Sequence, residues 1–129
     1  DAGFDTNLNY NNNYRFYRVA EAYLNAAELL LETGGDAGLA KDYVNKIRRR
    51  AGIAELGAVT LDDVINERHL EFVGEGKRYF DLVRTGKAAT VLVPDSYGYR
   101  TNSWTESKKY IPIAQAELDS DPALVQNNY

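Results

Sequence analysis

Apolar side chains recur between residues 16 and 30 at alternating spacings of four and three, in Phe16, Ala20, Tyr23, Ala27 and Leu30. That period is the signature of one buried helix face, and Glu21, Asn25, Glu28 and Glu32 run beside it as a polar stripe. Gly34-Gly35 predicts the stop, because glycine adopts φ > 0 at little cost, and a run of about 20 residues makes a rod of about 30 Å. Asp36 is placed to cap a second helix with the apolar face Leu39, Ala40, Tyr43, Val44 and Ile47. Arg48, Arg49 and Arg50 suit the negative end of that helix, and Gly52 closes it. So short a connection makes the two helices antiparallel neighbours, a hairpin about as long as one tetratricopeptide-type unit. One hairpin leaves a face uncovered, so further helices must pack on it.

Thr60 and Asp63 form an approximate capping box for a third helix that continues through Leu61, Val64, Ile65 and Phe72. Gly74 and Gly76 should break it, with a bend at Gly76 and a shorter helix from about Arg78 to Thr85. The asparagine-rich start reads as a polar lead-in over 1–13, followed by a helical scaffold over 14–93. After Pro94 periodicity is lost, and 94–129 reads as an aromatic loop, a short extended piece near Lys109 to Ile113 and an irregular tail of the same domain. A chain of 129 residues is one folding unit or a piece of something larger, and its start at Asp1 and lack of methionine favour a segment of a longer protein. A net charge of −4 disfavours nucleic acid as a partner. Without cysteine there are no disulfides, thiolate nucleophiles or cysteine metal sites. The longest apolar run, around Ala88 to Val93, falls far short of the roughly 20 residues that span a bilayer.

The third helix carries the densest charge, Glu67, Arg68, Glu71 and Glu75, followed by Arg78, Asp81 and Arg84. Carboxylates at i, i+4 repel unless cations intervene. Arg68 and His69 fall where the apolar stripe expects a hydrophobe, so at least one is half-buried, and a buried guanidinium needs a carboxylate. Glu67, Arg68, Glu71, Glu75, Arg78 and Asp81 are therefore read as structural ion pairs. A glycosidase-like carboxylate pair is the rival, since adjacent helical turns put Cβ atoms about 5–6 Å apart. It is disfavoured because a catalytic acid needs an apolar pocket rather than interleaved arginines, and two groups on one helix face do not flank a bond between them.

His69 is the only histidine and no HExxH is present, which leaves zinc without a donor set. Asp5, Asn7, Asn9 and Asn11 match the odd positions of a calcium loop, but Tyr10 replaces its glycine and Phe16 its bidentate glutamate. Gly76-Lys77 lacks the upstream glycine and the following Ser or Thr of a phosphate loop, and no GxSxG surrounds a serine. No metal and no cofactor are implied. Helix-end electrostatics accounts for Arg48 to Arg50 without a phosphate. In the loop, Tyr97, Tyr99, Arg100, Asn102, Ser103 and Trp104 combine flat apolar faces with donors and acceptors, the complement of a sugar's C–H faces and hydroxyl edges. Two readings stay open: a carbohydrate platform, or rings packed down onto the helices.

Taken together the chain resembles the C-terminal part of the SusD/RagB family of outer-membrane nutrient-binding lipoproteins. The resemblance runs through Arg18, Ala20, Glu21, Leu24, Asn25, Ala27 and Glu28, then Asn45, Arg48, Arg50, Ala51 and Gly52. It continues in Ile65, Glu67, Arg68, Glu71, Glu75, Gly76, Arg78, Asp81, Leu82 and Arg84, and closes in Pro112, Ile113, Glu117 and Gln126-Asn127. The ER…E…EG.R..DL.R stretch is the most specific part. Ala114 stands where the family usually has a second proline, and Asp121 where it usually has asparagine.

The resemblance implies an all-α fold of TPR-like antiparallel hairpins (an α-α superhelix) with a long loop and an irregular C-terminal tail. It implies a non-catalytic protein that captures oligosaccharides at the outer-membrane surface, anchored through an N-terminal lipid of the parent chain. Its expected partners are the oligosaccharide, a SusC-like TonB-dependent transporter and the rest of the parent chain. Carbohydrate binding by Tyr97, Tyr99, Arg100, Asn102 and Trp104 comes from their chemistry and not from the family. The alternatives are a helical protein-interaction scaffold without sugar contact and a glycoside hydrolase fragment.

Overall fold

The computed structural model describes residues 16–129, and the calcium-like pattern of Asp5 to Asn11 lies outside them. The chain is all-helical, with no strand among the described residues, and divides into two compact units, Asp1–Glu71 and Phe72–Tyr129.

The first unit contains α1 (Val19–Glu32), α2 (Ala37–Ala51) and α3 (Leu61–Glu71), each of which contacts the other two. Its core is built from Ala20, Leu24 and Ala27 of α1, Ala40, Val44 and Ile47 of α2, and Val64 and Ile65 of α3. Helix α1 is shorter than its apolar period suggests, since its 14 residues span about 21 Å. Phe16 fits the period yet lies before the helix and is exposed, because the backbone at Arg18 is extended. Leu39, expected on the buried face of α2, is also exposed. Both hairpin stops form as glycine closures. Gly35 N–H donates to Leu30 O at 2.7 Å beside Gly34 at φ 68°, and Ile53 N–H donates to Arg48 O at 3.1 Å beside Gly52 at φ 72°.

The caps follow from side chains within three residues. Asp36 Oδ1 accepts from Leu39 N–H at 3.0 Å. Asp63 Oδ2 accepts from the N–H and hydroxyl of Thr60 at 2.8 and 2.7 Å, while Asp63 N–H returns a bond to Thr60 Oγ1 at 3.2 Å. The Thr60 hydroxyl and N–H, with Arg48 adding a smaller effect, outweigh the opposing desolvation and hold the Asp63 carboxyl below its ordinary value.

The second unit contains α4 (Arg78–Arg84), α5 (Ala88–Val91), a 3-10 turn (Glu106–Lys109) and α6 (Gln115–Ser120). Gly74 and Gly76 have φ of 81° and 72° in the turn before α4. Because α3 ends at Glu71, Glu75 does not share its face, which corrects the expected three-carboxylate row. Helix α6 arises where the sequence reading expected an irregular tail, and α5 lies within the expected scaffold but beyond the last helix placed in it. After α6 the tail is tied back by carboxamides. The Gln126 side chain bonds Ile113 N–H at 3.0 Å and Ile113 O at 2.9 Å, and Asn127 Nδ2 donates to Ile111 O at 3.1 Å.

Candidate functional site

In the first unit several charged residues are turned inward. Glu67 is buried and accepts from Arg48 Nη1 at 2.7 Å. The same arginine donates through Nε to Ala54 O at 2.7 Å, so one side chain joins α2, α3 and the loop between them. Glu71 is bound by Arg18 and by Arg50, whose Nη2 lies 2.5 and 2.6 Å from its two oxygens. Arg49 pairs with the exposed Glu55 at 2.8 Å, giving each member of the arginine triplet a carboxylate. Arg68, only 5% exposed, donates to Asn25 Oδ1 at 2.5 Å and lies 3.7 Å from Glu21 Oε1. Half of the polar stripe of α1 is thus interior, with Glu21 and Glu28 buried and Asn25 and Glu32 exposed. His69 is exposed. Asn45 fixes the loop after α2 by a pair of bonds to Leu56, 3.0 Å to its O and 2.9 Å from its N–H.

The other charged residues singled out in the sequence lie in the second unit. Asp81 is buried, and its Oδ1 accepts from Arg84 Nε at 3.0 Å and Nη2 at 2.8 Å. Glu75 is half-buried in the turn before α4. Arg78 differs from the rest: its buried Nη1 meets no partner among the described residues.

The aromatic loop has its own local frame. Asp95 accepts from the N–H groups of Tyr97 at 2.8 Å, Tyr99 at 3.1 Å and Arg100 at 2.5 Å, a turn completed by Gly98 at φ 78°. Desolvation would raise the Asp95 pKa, but the bonds from Arg100, Tyr97, Tyr99 and Gly98 prevail and hold it below the ordinary aspartate value. The turn presents the rings of Tyr97 and Tyr99, 83% and 93% exposed, with centroids 6.3 Å apart and planes inclined by 34°. These two rings are not packed onto the helices.

Trp104 is half-buried, and its N–H groups are spoken for: the backbone donates to Leu92 O at 2.9 Å, and Nε1 to the Tyr79 hydroxyl at 3.4 Å. Tyr79 in turn donates to Lys108 O, and Lys108 Nζ to Ser103 O at 2.7 Å. A cleft of about 130 Å³ results, walled by Trp104, Tyr79 and Leu92 and edged by Arg100, Asn102 and Lys108. Arg100, Asn102 and Trp104 of the expected set meet there, whereas Tyr97 and Tyr99 do not line it. Tyr79 and Lys108 were not legible as site residues, since nothing in their local sequence sets them apart from other helix-surface residues.

Among the described residues no group of three or more His, Asp or Glu could hold a metal ion, and no helix is long and apolar enough to cross a membrane. An apolar wall with polar edges can hold a sugar ring through its C–H face and hydroxyls.

Comparison with known proteins gives a consistent result. The sequence matches the SusD family model over residues 1–129. The starch-binding protein SusD of Bacteroides thetaiotaomicron is 34% identical over 86% of the chain, and SusD-like protein P25 of Formosa agariphila is 31% identical over 94%. The chain spans only 20% and 25% of the lengths of these two relatives. Among solved structures, surface glycan-binding protein A of Bacteroides uniformis is 67% identical, with a TM-score of 0.87 over 97% of this chain and 30% of that one. The corresponding protein of Bacteroides thetaiotaomicron in complex with laminarihexaose is 62% identical, with a TM-score of 0.82 over 94% of this chain and 26% of that one. The chain therefore belongs to the SusD family.

Proposed function

We propose that this chain is the part of a cell-surface glycan-binding protein that holds a laminarin-type oligosaccharide without cleaving it. The observation that carries the reading is the cleft walled by Trp104, beside a turn whose tyrosine rings stand in solvent. A relative 62% identical to the chain, in complex with laminarihexaose, supports the choice of glycan. Arg100 and Asn102 supply hydroxyl contacts, Trp104 the stacking face, and Tyr97 and Tyr99 an outer platform. Glu67, Arg68, Glu71, Glu75, Arg78 and Asp81 serve the fold and do not touch the ligand. The intact protein sits on the outer membrane through an N-terminal lipid and passes its ligand to a SusC-like TonB-dependent transporter.

Calorimetric titration of the intact protein with laminarihexaose tests this. Trp104→Ala should weaken binding about tenfold or more, which corresponds to roughly 1.4 kcal/mol or more, at a temperature where circular dichroism shows the variant to be folded. Unchanged affinity would remove Trp104 from the site. A pure protein-interaction scaffold would not be retarded in laminarin-loaded native gels. A hydrolase would release reducing ends, and none are expected.

A further inference from the structure

A second cleft, of about 220 Å³, also uses Trp104 as a wall and is lined by Arg84, Gly86, Ala89, Glu106 and Lys109. Resting on the reading of Trp104 as a sugar platform, we propose that this cleft binds a further neutral pyranose unit of the same oligosaccharide, so that the glycan runs past Trp104 and is held on both sides of its run.

Three features of the cleft carry this. Its small residues keep the space open: Ala88 and Ala89 start α5, and a Cβ built on Gly86 would meet no atom within 4 Å. Gly86 is also required by the backbone, at φ 70° where Lys87 N–H closes α4 onto Leu82 O at 2.8 Å. The edge carries both kinds of partner that a sugar hydroxyl needs, an acceptor in Glu106 and donors in Lys109 and Arg84. Because Asp81 already neutralises Arg84, Glu106 and Lys109 leave the cleft with no net charge, which suits a neutral polyol better than a phosphate or an acidic peptide.

Arg84 is also pre-positioned. Its Nε and Nη2 are held by Asp81 Oδ1 at 3.0 and 2.8 Å, and Asp81 is 3% exposed, so little side-chain freedom remains to be lost on binding. Each cleft is smaller than the roughly 300 Å³ at which pockets begin to enclose drug-sized ligands, which matches one ring apiece.

The test compares laminari-oligosaccharides of three and six units by calorimetry on the intact protein, with Ala89→Leu to fill the cleft and Glu106→Ala to remove its acceptor. Both positions are exposed, so the fold should survive either change. The wild type should bind the six-unit ligand more tightly than the three-unit one. Each variant should weaken the longer ligand about tenfold and leave the shorter one unchanged. Wild-type affinity of both variants for the six-unit ligand would empty the second cleft while leaving the Trp104 site in place. Absence of binding by the wild type to either ligand would overturn the proposed function together with this inference.

Discussion

Glu67 and Asp95 are both carboxylates held by hydrogen bonds, but the two units supply the donors in different ways. Glu67 in the first unit is buried and takes its bond from Arg48, 19 positions away, and Glu71 takes one from Arg18 at a separation of 53. Asp95 in the second unit is exposed and takes its bonds from N–H groups two, four and five positions on. A carboxylate satisfied by distant cations exists only if the helices are already in place, and it holds them there. One satisfied by its own turn shapes a surface and leaves the helices indifferent. Sequence change in the loop can therefore reshape its exposed surface at little cost to the scaffold, whereas change in the interior lattice cannot.

Breaking the lattice gives the largest expected effect. Arg68→Ala leaves Glu21 and Asn25 without their buried partner and should cost about 3–5 kcal/mol in denaturant unfolding. A variant that melts like the wild type would show the guanidinium to be solvated and the contrast between the units to be empty. Thr60→Ala should cost about 1 kcal/mol, because it removes only the hydroxyl of the α3 cap. It should also reduce acid sensitivity. The folded Asp63 pKa lies below its unfolded value, so the cap contributes fully above the ordinary aspartate value and is lost as pH falls through the folded one.

The smallest effect belongs to the loop. The Asp95 pKa is likewise lowered from 3.8, so laminarihexaose affinity should stay level down to about pH 4 and decline below it as the turn loosens. Asp95→Asn should lower affinity several-fold at neutral pH and leave the unfolding free energy unchanged, as seen by calorimetry and denaturant titration on the same samples. A loss of stability equal to that of Arg68→Ala would mean that the loop is part of the scaffold after all.

How much of this was legible from the residues depended on how local each signal is. Helix α2 was readable at both ends, since Asp36 and Gly52 act within one turn. The capping pair Thr60 and Asp63 was equally local. The start of α1 was misplaced because Phe16 obeys the helical period, while the extended backbone of Arg18 accompanies a bond to Glu71 that no window of sequence contains. The inward turn of Glu21 escaped for the same reason, as its partner Arg68 lies on another helix. Helices α5 and α6 have four and six residues with no side-chain cap, too little pattern to register. In the candidate site, Arg100, Asn102 and Trp104 were visible as loop chemistry. Tyr79 and Lys108 entered it only through folding.

Hydrogen exchange of the intact protein with and without laminarihexaose tests the central claim most directly, because it reports on both units in one experiment. The account predicts protection confined to the second unit, at the amides of residues 79–92 and 97–109 that line the two clefts, with those of α3 exchanging as in the free protein. Protection of 61–71 with no change at Trp104 would contradict it, and would make the buried carboxylates the ligand site.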